Sequence, residues 1–222
     1  ELHGASELIS ELTGQGILCS LAHTHASVEQ ARTAVDAGAR LVTHLFDTFE
    51  VPEMTDPGVY PAGLTDYLLV EDRITCEIIG DGTHVHPFLV EKTFCCKTPE
   101  RIAFVTDSNY GAGLPPGNYA LPGSWGNCVI DGCNNGVRML DRGMVLAGSA
   151  LTPIDSFRNV IELFNKDIAT ASSVCSNTPA KLVGLNKGEI VEGKDGDIII
   201  LSSGFEVGYT IVSGKIIYHK ND

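Results

Sequence analysis

Strand-like and helix-like segments alternate through the first two-thirds of the sequence. The strand-like runs are 17–21, 41–43, 74–79 and 102–106, and the helix-like segments are 6–14, 28–37 and 87–96. Ser27 and Gly38 are typical of the start and the end of the second helix. Because a helix that joins two strands brings them parallel, the alternation predicts an α/β fold with a parallel sheet and helices outside it.

The rest of the chain has a different pattern. Residues 109–148 are rich in Gly, Pro and Asn and include a predicted hairpin around 129–144. Helices are expected at 153–164 and 168–175, followed by strands at 189–191, 197–201, 207–213 and 215–218. We therefore divide the chain into a region of βα units at 1–186, with a hairpin insertion at about 109–148, and a small β subdomain at 187–222.

Charge and cysteine content exclude several classes of function. The net charge of −13 argues against nucleic acid and anionic membranes as partners. The longest apolar runs have the length of a strand, far short of the roughly 20 residues of a membrane span, and the first residues lack the pattern of a signal peptide. The seven cysteines are odd in number and unevenly spaced, which predicts reduced thiols and a cytoplasmic protein.

Four polar residues follow the four predicted strands: His23, His44, His84 and Asp107. In parallel α/β folds the carboxyl ends of the strands carry the chemistry, because the loops there converge on one mouth. Neighbouring strands lie roughly 5 Å apart, so histidines at adjacent strand ends can reach one zinc ion at about 2.0–2.1 Å. A carboxylate from a further strand can accept a proton from a water molecule that the ion activates.

A structural role is the competing interpretation of these residues. A lone histidine at a strand end is more often a hydrogen-bonded structural residue, whereas three histidines and an aspartate at successive strand ends favour a functional site. His25 and His86 lie two residues beyond their neighbours and are expected in loops or at helix starts. His3 and His219 are expected at the surface.

Six segments carry a resemblance to a known family. They are 23–26 (HTHA), 43–46 (THLF), 81–85 (DGTHV), 105–107 (VTD), 146–152 (LAGSALT) and 177–185 (NTPAKLVGL). In this order the chain resembles the N-acetylglucosamine-6-phosphate deacetylase family of the amidohydrolase superfamily, from about residue 7 to its end. The resemblance implies the C-terminal half of a metal-dependent (β/α)8 barrel, with a small C-terminal β-sandwich subdomain.

The resemblance also implies a role for each strand-end residue. His23 and His44 match metal-binding histidines, for which zinc or iron(II) is the expected ion. His84 matches a histidine that holds or polarises the acetamido carbonyl. Asp107 matches the catalytic aspartate, which takes a proton from the attacking water and later donates one to the leaving amine.

Further substrate contacts are implied by two loops. Asp47 and Thr48 follow the second metal histidine where the family has residues of the sugar-phosphate site. Gly148 and Ser149 belong to a loop close to the sugar, where a glycine allows close backbone approach or serves as a turn residue.

Two departures from the family pattern are apparent. A closed eight-stranded barrel needs roughly 200 residues or more, and family chains begin upstream with half of the barrel and a glutamate that completes the metal site. Glu1 is too near His23 to be that glutamate. We therefore expect either a truncated chain, or a homodimer or complementing chain that completes the barrel.

The second departure concerns the phosphate. The family has Asn where this chain has Asp47, and an arginine expected at the phosphate falls near Thr55. A carboxylate repels a phosphate dianion, and loss of an arginine removes a bidentate partner. This favours a neutral acetamido sugar or another N-acyl substrate, unless a residue from elsewhere holds the phosphate.

The resemblance implies a carbohydrate deacetylase, a hydrolase of amide bonds. The leading substrate is N-acetylglucosamine-6-phosphate, which gives glucosamine-6-phosphate and acetate. The alternatives are an amidohydrolase acting on an unphosphorylated N-acyl substrate and an inactive fragment that needs a second chain. The expected partner is a small acetamido sugar, without nucleic acid or membrane.

Overall fold

The computed structural model describes residues 1–220. The last two residues of the predicted 187–222 subdomain lie outside the described residues. No helix within this described part is long and apolar enough to cross a membrane.

Strands and helices alternate in the first half of the chain, as predicted. The elements are α1 (Ala5–Gly14), β1 (Ser20–Leu21), α2 (Val28–Ala37), β2 (Leu41–Val42), α3 (Leu64–Val70), β3 (Thr75–Ile79), α4 (Pro87–Cys96) and β4 (Ile102–Val105). The four strands form one sheet in the order β1-β2-β3-β4, and each neighbouring pair is parallel. The carboxyl ends of all four strands therefore lie at one edge of the sheet.

Local sequence explains where α2 begins and ends. The Ser27 side chain accepts a hydrogen bond from the Gln30 amide, the Gln30 side chain accepts one from the Ser27 amide, and Gly38 is the C-cap residue. A capping box of this kind satisfies two amides that have no partner inside the helix. The predicted start and end of this helix are confirmed.

Helix α3 was not predicted. It has only seven residues, and its first turn is fixed by Asp66, whose carboxylate accepts a hydrogen bond from the Gly63 amide at 2.9 Å. Leu68 and Leu69 are its buried residues. A helix this short gives too few apolar positions for its periodicity to be recognised.

The larger hydrophobic core lies on one face of the parallel sheet. Cys76 and Ile78 of β3 belong to it, whereas Glu77, between them, points to the other face. The helices contribute the other buried side chains, which include Val35, Leu68, Val90 and Val160. Full burial of such a side chain contributes about 1.5–3 kcal/mol, so this core holds the helices on the face opposite Glu77.

An antiparallel sheet follows β4. Its strands are β5 (Gly117–Leu121), β6 (Gly126–Ile130), β7 (Val137–Met139) and β8 (Val145–Leu146), in sequential order. We call this sheet the meander. It contains the predicted hairpin and has its own small core, which includes Cys128, Ile130, Val137 and Met139. A parallel bridge between Ser108 and Ser149 joins the segment after β8 to the segment after β4.

The remaining elements are helices and a last sheet. They are α5 (Pro153–Glu162), α6 (Ile168–Ser172), α7 (Thr178–Leu182), β9 (Ile198–Leu201), β10 (Val207–Val212) and β11 (Lys215–His219). A π-helical turn at Ser173–Asn177 links α6 to α7. The last three strands form an antiparallel sheet in the order β11-β10-β9.

The expected strand at 189–191 was wrong. This segment is irregular and ends in a turn in which the Lys194 amide donates to the Val191 carbonyl. Glu189 forms ion pairs with Lys181 at 2.9 Å and Lys194 at 3.8 Å. Within residues 1–220 this segment pairs with no strand.

Candidate active site

His23 and His44 are in direct contact. Each is the second residue after its strand, His23 after β1 and His44 after β2. Their Nε2 atoms lie 3.0 Å apart, and the rings are nearly perpendicular, at 87°. His23 is exposed, whereas His44 is only 5% exposed. The parallel pairing of β1 with β2 therefore brings together two residues that are 21 positions apart.

Three of the strand-end residues share an uncommon backbone conformation. His23, His44 and Asp107 have φ values of 45°, 35° and 46°. Positive φ is rare for residues other than glycine and costs of order 1–3 kcal/mol, and it concentrates at functional sites. Backbone hydrogen bonds on both sides of His44 hold its conformation. The Thr43 amide donates to the Leu21 carbonyl, and the Leu45 amide donates to the Glu77 carbonyl.

The two histidines fit one divalent ion as shared ligands. Two nitrogens bound to zinc at about 2.0–2.1 Å in tetrahedral geometry lie roughly 3.3 Å apart, close to the observed 3.0 Å. The Nδ1 atom of His44 is buried without a hydrogen-bond partner among residues 1–220. Within the same residues, no group of three or more His, Cys, Asp or Glu side chains is placed to hold a metal ion. This part of the chain thus offers two ligands.

Asp107 is fixed through its backbone by the loop after β8. The Ser149 amide donates to the Asp107 carbonyl at 2.9 Å. The Ser149 side chain is buried and donates to the Thr106 carbonyl. Gly148 has φ of 74°, and a Cβ there would lie 2.7 Å from the Asp107 carbonyl oxygen. The two predicted substrate residues Gly148 and Ser149 therefore lie against the catalytic candidate, and the Ser149 hydroxyl is engaged by the backbone.

His84 is paired with a buried carboxylate. Its Nδ1 atom lies 2.6 Å from Oδ2 of Asp81. Burial lowers the pKa of His84, but the hydrogen bond with Asp81 and the charges of Asp81, Asp47 and Asp107 outweigh it, so the net pKa is raised. His84, Asp47 and Asp107 are thus close enough to interact electrostatically.

Asp47 and Thr48 lie in the turn that follows His44. The Asp47 amide donates to the His44 carbonyl at 3.0 Å, which closes the turn. Thr48 is exposed with φ of 59°, and its side chain makes no hydrogen bond to another residue in the described range 1–220. The structure therefore brings Asp47 near His84 and leaves Thr48 at the surface. Their predicted role in substrate binding stays a prediction.

The other histidines lie outside this group. His25 forms an exposed pair with Glu50, with 2.7 Å between Nδ1 and Oε1. His86 is the N-cap residue of α4, and its ring accepts a hydrogen bond from the Phe88 amide. Both are in loops or at a helix start, as expected.

Sequence reasoning missed two carboxylates, Asp81 and Glu77. Asp81 precedes His84 by three residues, a spacing at which a side chain can accept hydrogen bonds from the following loop. Glu77 is a charged residue in the middle of an apolar strand, which was a visible signal. Burial raises the pKa of Glu77, partly offset by the His44 amide. Glu77 therefore lies on the site face of the sheet, next to His44.

A cavity of about 540 Å³ lies on the meander. Its walls include Asp131, Gly136 and Arg138, and none of the predicted site residues lines it. It borders the site through Gly136, because a Cβ at that position would lie 3.5 Å from Cε1 of His84. The cavity is thus a neighbour of the strand-end site and not part of it.

Comparison with known proteins gives a consistent picture. A model of the amidohydrolase family matches residues 1–217. An N-acetylgalactosamine-6-phosphate deacetylase from Escherichia coli O157:H7 is 34% identical over 97% of this chain and 55% of its own length. An N-acetylglucosamine-6-phosphate deacetylase from Vibrio furnissii is 33% identical over 98% of this chain and 52% of its own length. The chain thus spans about half the length of the curated relatives it matches.

Solved structures match in the same way. The crystal structure of N-acetyl-D-glucosamine-6-phosphate deacetylase from Mycobacterium smegmatis has a TM-score of 0.82 at 27% identity, over 98% of this chain and 56% of that one. An enamidase structure has a TM-score of 0.58 at 13% identity, over 97% of this chain and 51% of that one, which shows a shared fold alone.

Proposed function

The chain belongs to the amidohydrolase family, and on that premise we propose that it hydrolyses the acetamido bond of N-acetylglucosamine-6-phosphate to glucosamine-6-phosphate and acetate. The observation that carries the proposal is the 3.0 Å contact between the Nε2 atoms of His23 and His44, at the sheet edge where Asp107 also follows its strand. Deacetylases of amino sugar phosphates among its relatives support the substrate class.

His23 and His44 would hold the metal. A divalent ion, zinc or iron(II), supplies activation of water and polarisation of the acetamido carbonyl when it is bound. Both residues have a left-handed backbone, and their ring centroids lie 4.7 Å apart. The burial of His44 keeps one of the two ligand nitrogens away from bulk water.

Asp107 would manage the protons of the reaction. Its carboxylate accepts a proton from the attacking water and gives one to the leaving nitrogen, so that the amide and water become acetate and an amine. The loop of Gly148 and Ser149 holds the Asp107 backbone at the mouth of the site. His84 would hold an oxygen atom of the substrate through Nε2.

An unphosphorylated N-acyl substrate is the second candidate. The observation that favours it is Asp47, whose negative charge is near His84 and repels a phosphate. A preference for neutral sugars is therefore expected if no cation from another segment compensates Asp47.

We propose that β1 to β4 form part of the barrel that is the fold of this superfamily, and that residues 187–222 belong to a β-sandwich subdomain. Within the described residues β1 pairs only with β2 and β4 only with β3, which leaves both edges of the sheet for further strands. An upstream segment of a longer protein, a second copy or a complementing chain would supply them. Light scattering on the purified chain separates these sources, since a defined dimer would indicate a second copy and a monodisperse monomer would exclude it. A cytoplasmic location remains a prediction.

Acetate release tests the proposed function. The chain is supplied with zinc or iron(II) and incubated separately with N-acetylglucosamine-6-phosphate, N-acetylgalactosamine-6-phosphate and N-acetylglucosamine. We expect acetate and amine in equal amounts from one of the phosphorylated sugars, and loss of both products in Asp107→Asn. Release only from the neutral sugar would favour the second candidate. No release by a folded, metal-loaded sample would contradict the assignment for this chain and favour a fragment that needs a second chain.

A further inference from the structure

The pair of Asp81 and His84 is almost fully removed from solvent. The His84 side chain is 3% exposed and that of Asp81 is 0% exposed. Oδ2 of Asp81 pairs with the ring nitrogen Nδ1. Oδ1 accepts hydrogen bonds from the Thr83 amide at 2.9 Å and the His84 amide at 3.0 Å. Three donors thus converge on one carboxylate, which fixes its position beside the ring.

The loop that carries the pair is held from behind by amide side chains. Asn159 of α5 donates to the Gly80 carbonyl at 2.8 Å and to Oδ1 of Asn134 at 2.7 Å. The Thr83 hydroxyl donates to the Asn134 carbonyl in the turn before β7. Helix α5 and the meander therefore clamp residues 80–84 in place, which leaves the His84 ring little freedom to turn.

The other ring nitrogen of His84 remains available. Nε2 makes no hydrogen bond within residues 1–220. In that range the fully buried polar side-chain atoms without a partner are His44 Nδ1 and Ser156 Oγ, so Nε2 of His84 is not fully buried. The one open position of the ring is therefore on the side away from Asp81. Asp47, after β2, and Asp107, after β4, add negative charge around the ring, and the meander and α5 contribute the neutral groups of Gly136, Asn134 and Asn159.

We propose that Asp81 is a positioning residue that keeps His84 as an imidazolium ion, with Nδ1–H donating to its carboxylate and Nε2–H available as a hydrogen-bond donor to a substrate oxygen. The proposal deepens the proposed function and rests on it for the identity of that oxygen. A neutral ring that donates from Nδ1 would present a lone pair at Nε2, and would repel a carbonyl or phosphoryl oxygen. The charge state therefore decides whether His84 can hold a substrate oxygen at all.

Side-chain nitrogen NMR on the purified chain tests this without substrate or metal. The histidine nitrogens are labelled with 15N, and His84→Gln identifies the signals of His84. We expect both nitrogens of His84 to be protonated at neutral pH, and the titration midpoint to fall in Asp81→Asn. Asp66→Asn is the matched control, because Asp66 also accepts a backbone amide and pairs with a lysine, but at α3. It should leave the His84 midpoint unchanged.

Two results would overturn the proposal. One is an unprotonated Nδ1 or Nε2 in the wild-type chain at neutral pH. The other is an unchanged midpoint in a folded Asp81→Asn variant. If that variant does not fold, the protonation state of His84 in the wild-type chain decides alone. Asp47→Asn, in an accessible turn, then tests the contribution of the Asp47 charge, and it should lower the titration midpoint of His84. Failure of the acetate assay would leave these signals as they are, so the two failures are distinguishable.

Discussion

At the scale of single residues, the site depends on backbone conformations that few side chains adopt. His23, His44 and Asp107 each turn the chain into the left-handed region two residues after a strand. The sequence shows which residue types follow the strands, and it was sufficient to select these three. The sequence does not show their φ angles, because these are imposed by hydrogen bonds from segments distant in the chain, such as the amide of Ser149 on the Asp107 carbonyl.

Gly148→Ala should displace Asp107. The added Cβ would lie 2.7 Å from the Asp107 carbonyl oxygen, a backbone atom that has little room to move. Gly143→Ala is the matched control, because Gly143 also has positive φ, 65°, but has nothing within 4 Å of the added atom. We expect Gly143→Ala to lower the free energy of unfolding by about 1 kcal/mol and Gly148→Ala by about 2–3 kcal/mol, measured by urea denaturation. Equal losses would show that contact with Asp107 is unimportant.

Asp47→Asn should improve binding of a phosphorylated sugar. Removal of the carboxylate eliminates its repulsion of the phosphate dianion near His84. We expect the KM for N-acetylglucosamine-6-phosphate, or its Kd where turnover is absent, to fall by roughly tenfold, which corresponds to about 1.4 kcal/mol. The value for unphosphorylated N-acetylglucosamine should not change, and Asp72→Asn, at an exposed aspartate after α3, should change neither. Equal improvement for both sugars would argue that Asp47 does not sense the phosphate.

At the scale of elements, sequence patterns predicted those helix ends that depend on residues close in sequence. The bounds of α2 follow from Ser27, Gln30 and Gly38, all within the helix or beside it. Helix α3 escaped prediction because it is short. The segment 189–191, expected as a strand, is irregular, and its Glu189 pairs with Lys181 and Lys194. Only the hairpin of the meander was predicted. Its four strands pack on a small core that includes Ala150, a residue beyond the last strand, so the sheet depends on contacts that local sequence patterns do not show.

Glu71→Gln should weaken the end of α3 in a pH-dependent way. Arg73 donates two hydrogen bonds to the Glu71 carboxylate, with nitrogen-to-oxygen distances of 2.7 and 2.8 Å. The guanidinium holds the pKa of that carboxyl at about 2, below its ordinary 4.5. A lowered pKa contributes stability that is present above pH 4.5 and is lost as the pH falls toward 2. Since Arg73 is partly exposed, solvent screening reduces the contribution to about 1 kcal/mol.

Thermal or urea unfolding from neutral pH down to about pH 3 measures this. The difference between wild type and Glu71→Gln should shrink as the pH falls. Glu162→Gln, at an exposed glutamate that forms no ion pair within residues 1–220, should show a small and constant difference. A difference for Glu71→Gln that stays constant with pH would argue against the ion pair as its cause.

At the scale of the whole molecule, the site results from pairing between distant segments. His23 and His44 meet because β1 and β2 are parallel neighbours, and Asp107 lies at the same edge of the sheet because β4 is parallel to them. Parallel order was predictable from the βα alternation, so the group of residues was predictable too. The support of the loop that carries Asp81 was not, because Asn134 and Asn159, which hold Gly80 and Thr83, are far from this loop in sequence.

Zinc binding by calorimetry tests the central claim, that strand ends assemble a metal-dependent site on this chain. We expect one zinc ion per chain, with affinity reduced at least tenfold, about 1.4 kcal/mol, in both His23→Gln and His44→Gln. His25→Gln, which removes a surface histidine two residues from His23, should bind as the wild type does. Absence of zinc binding, or equal affinity in wild type and both ligand variants, would contradict the account.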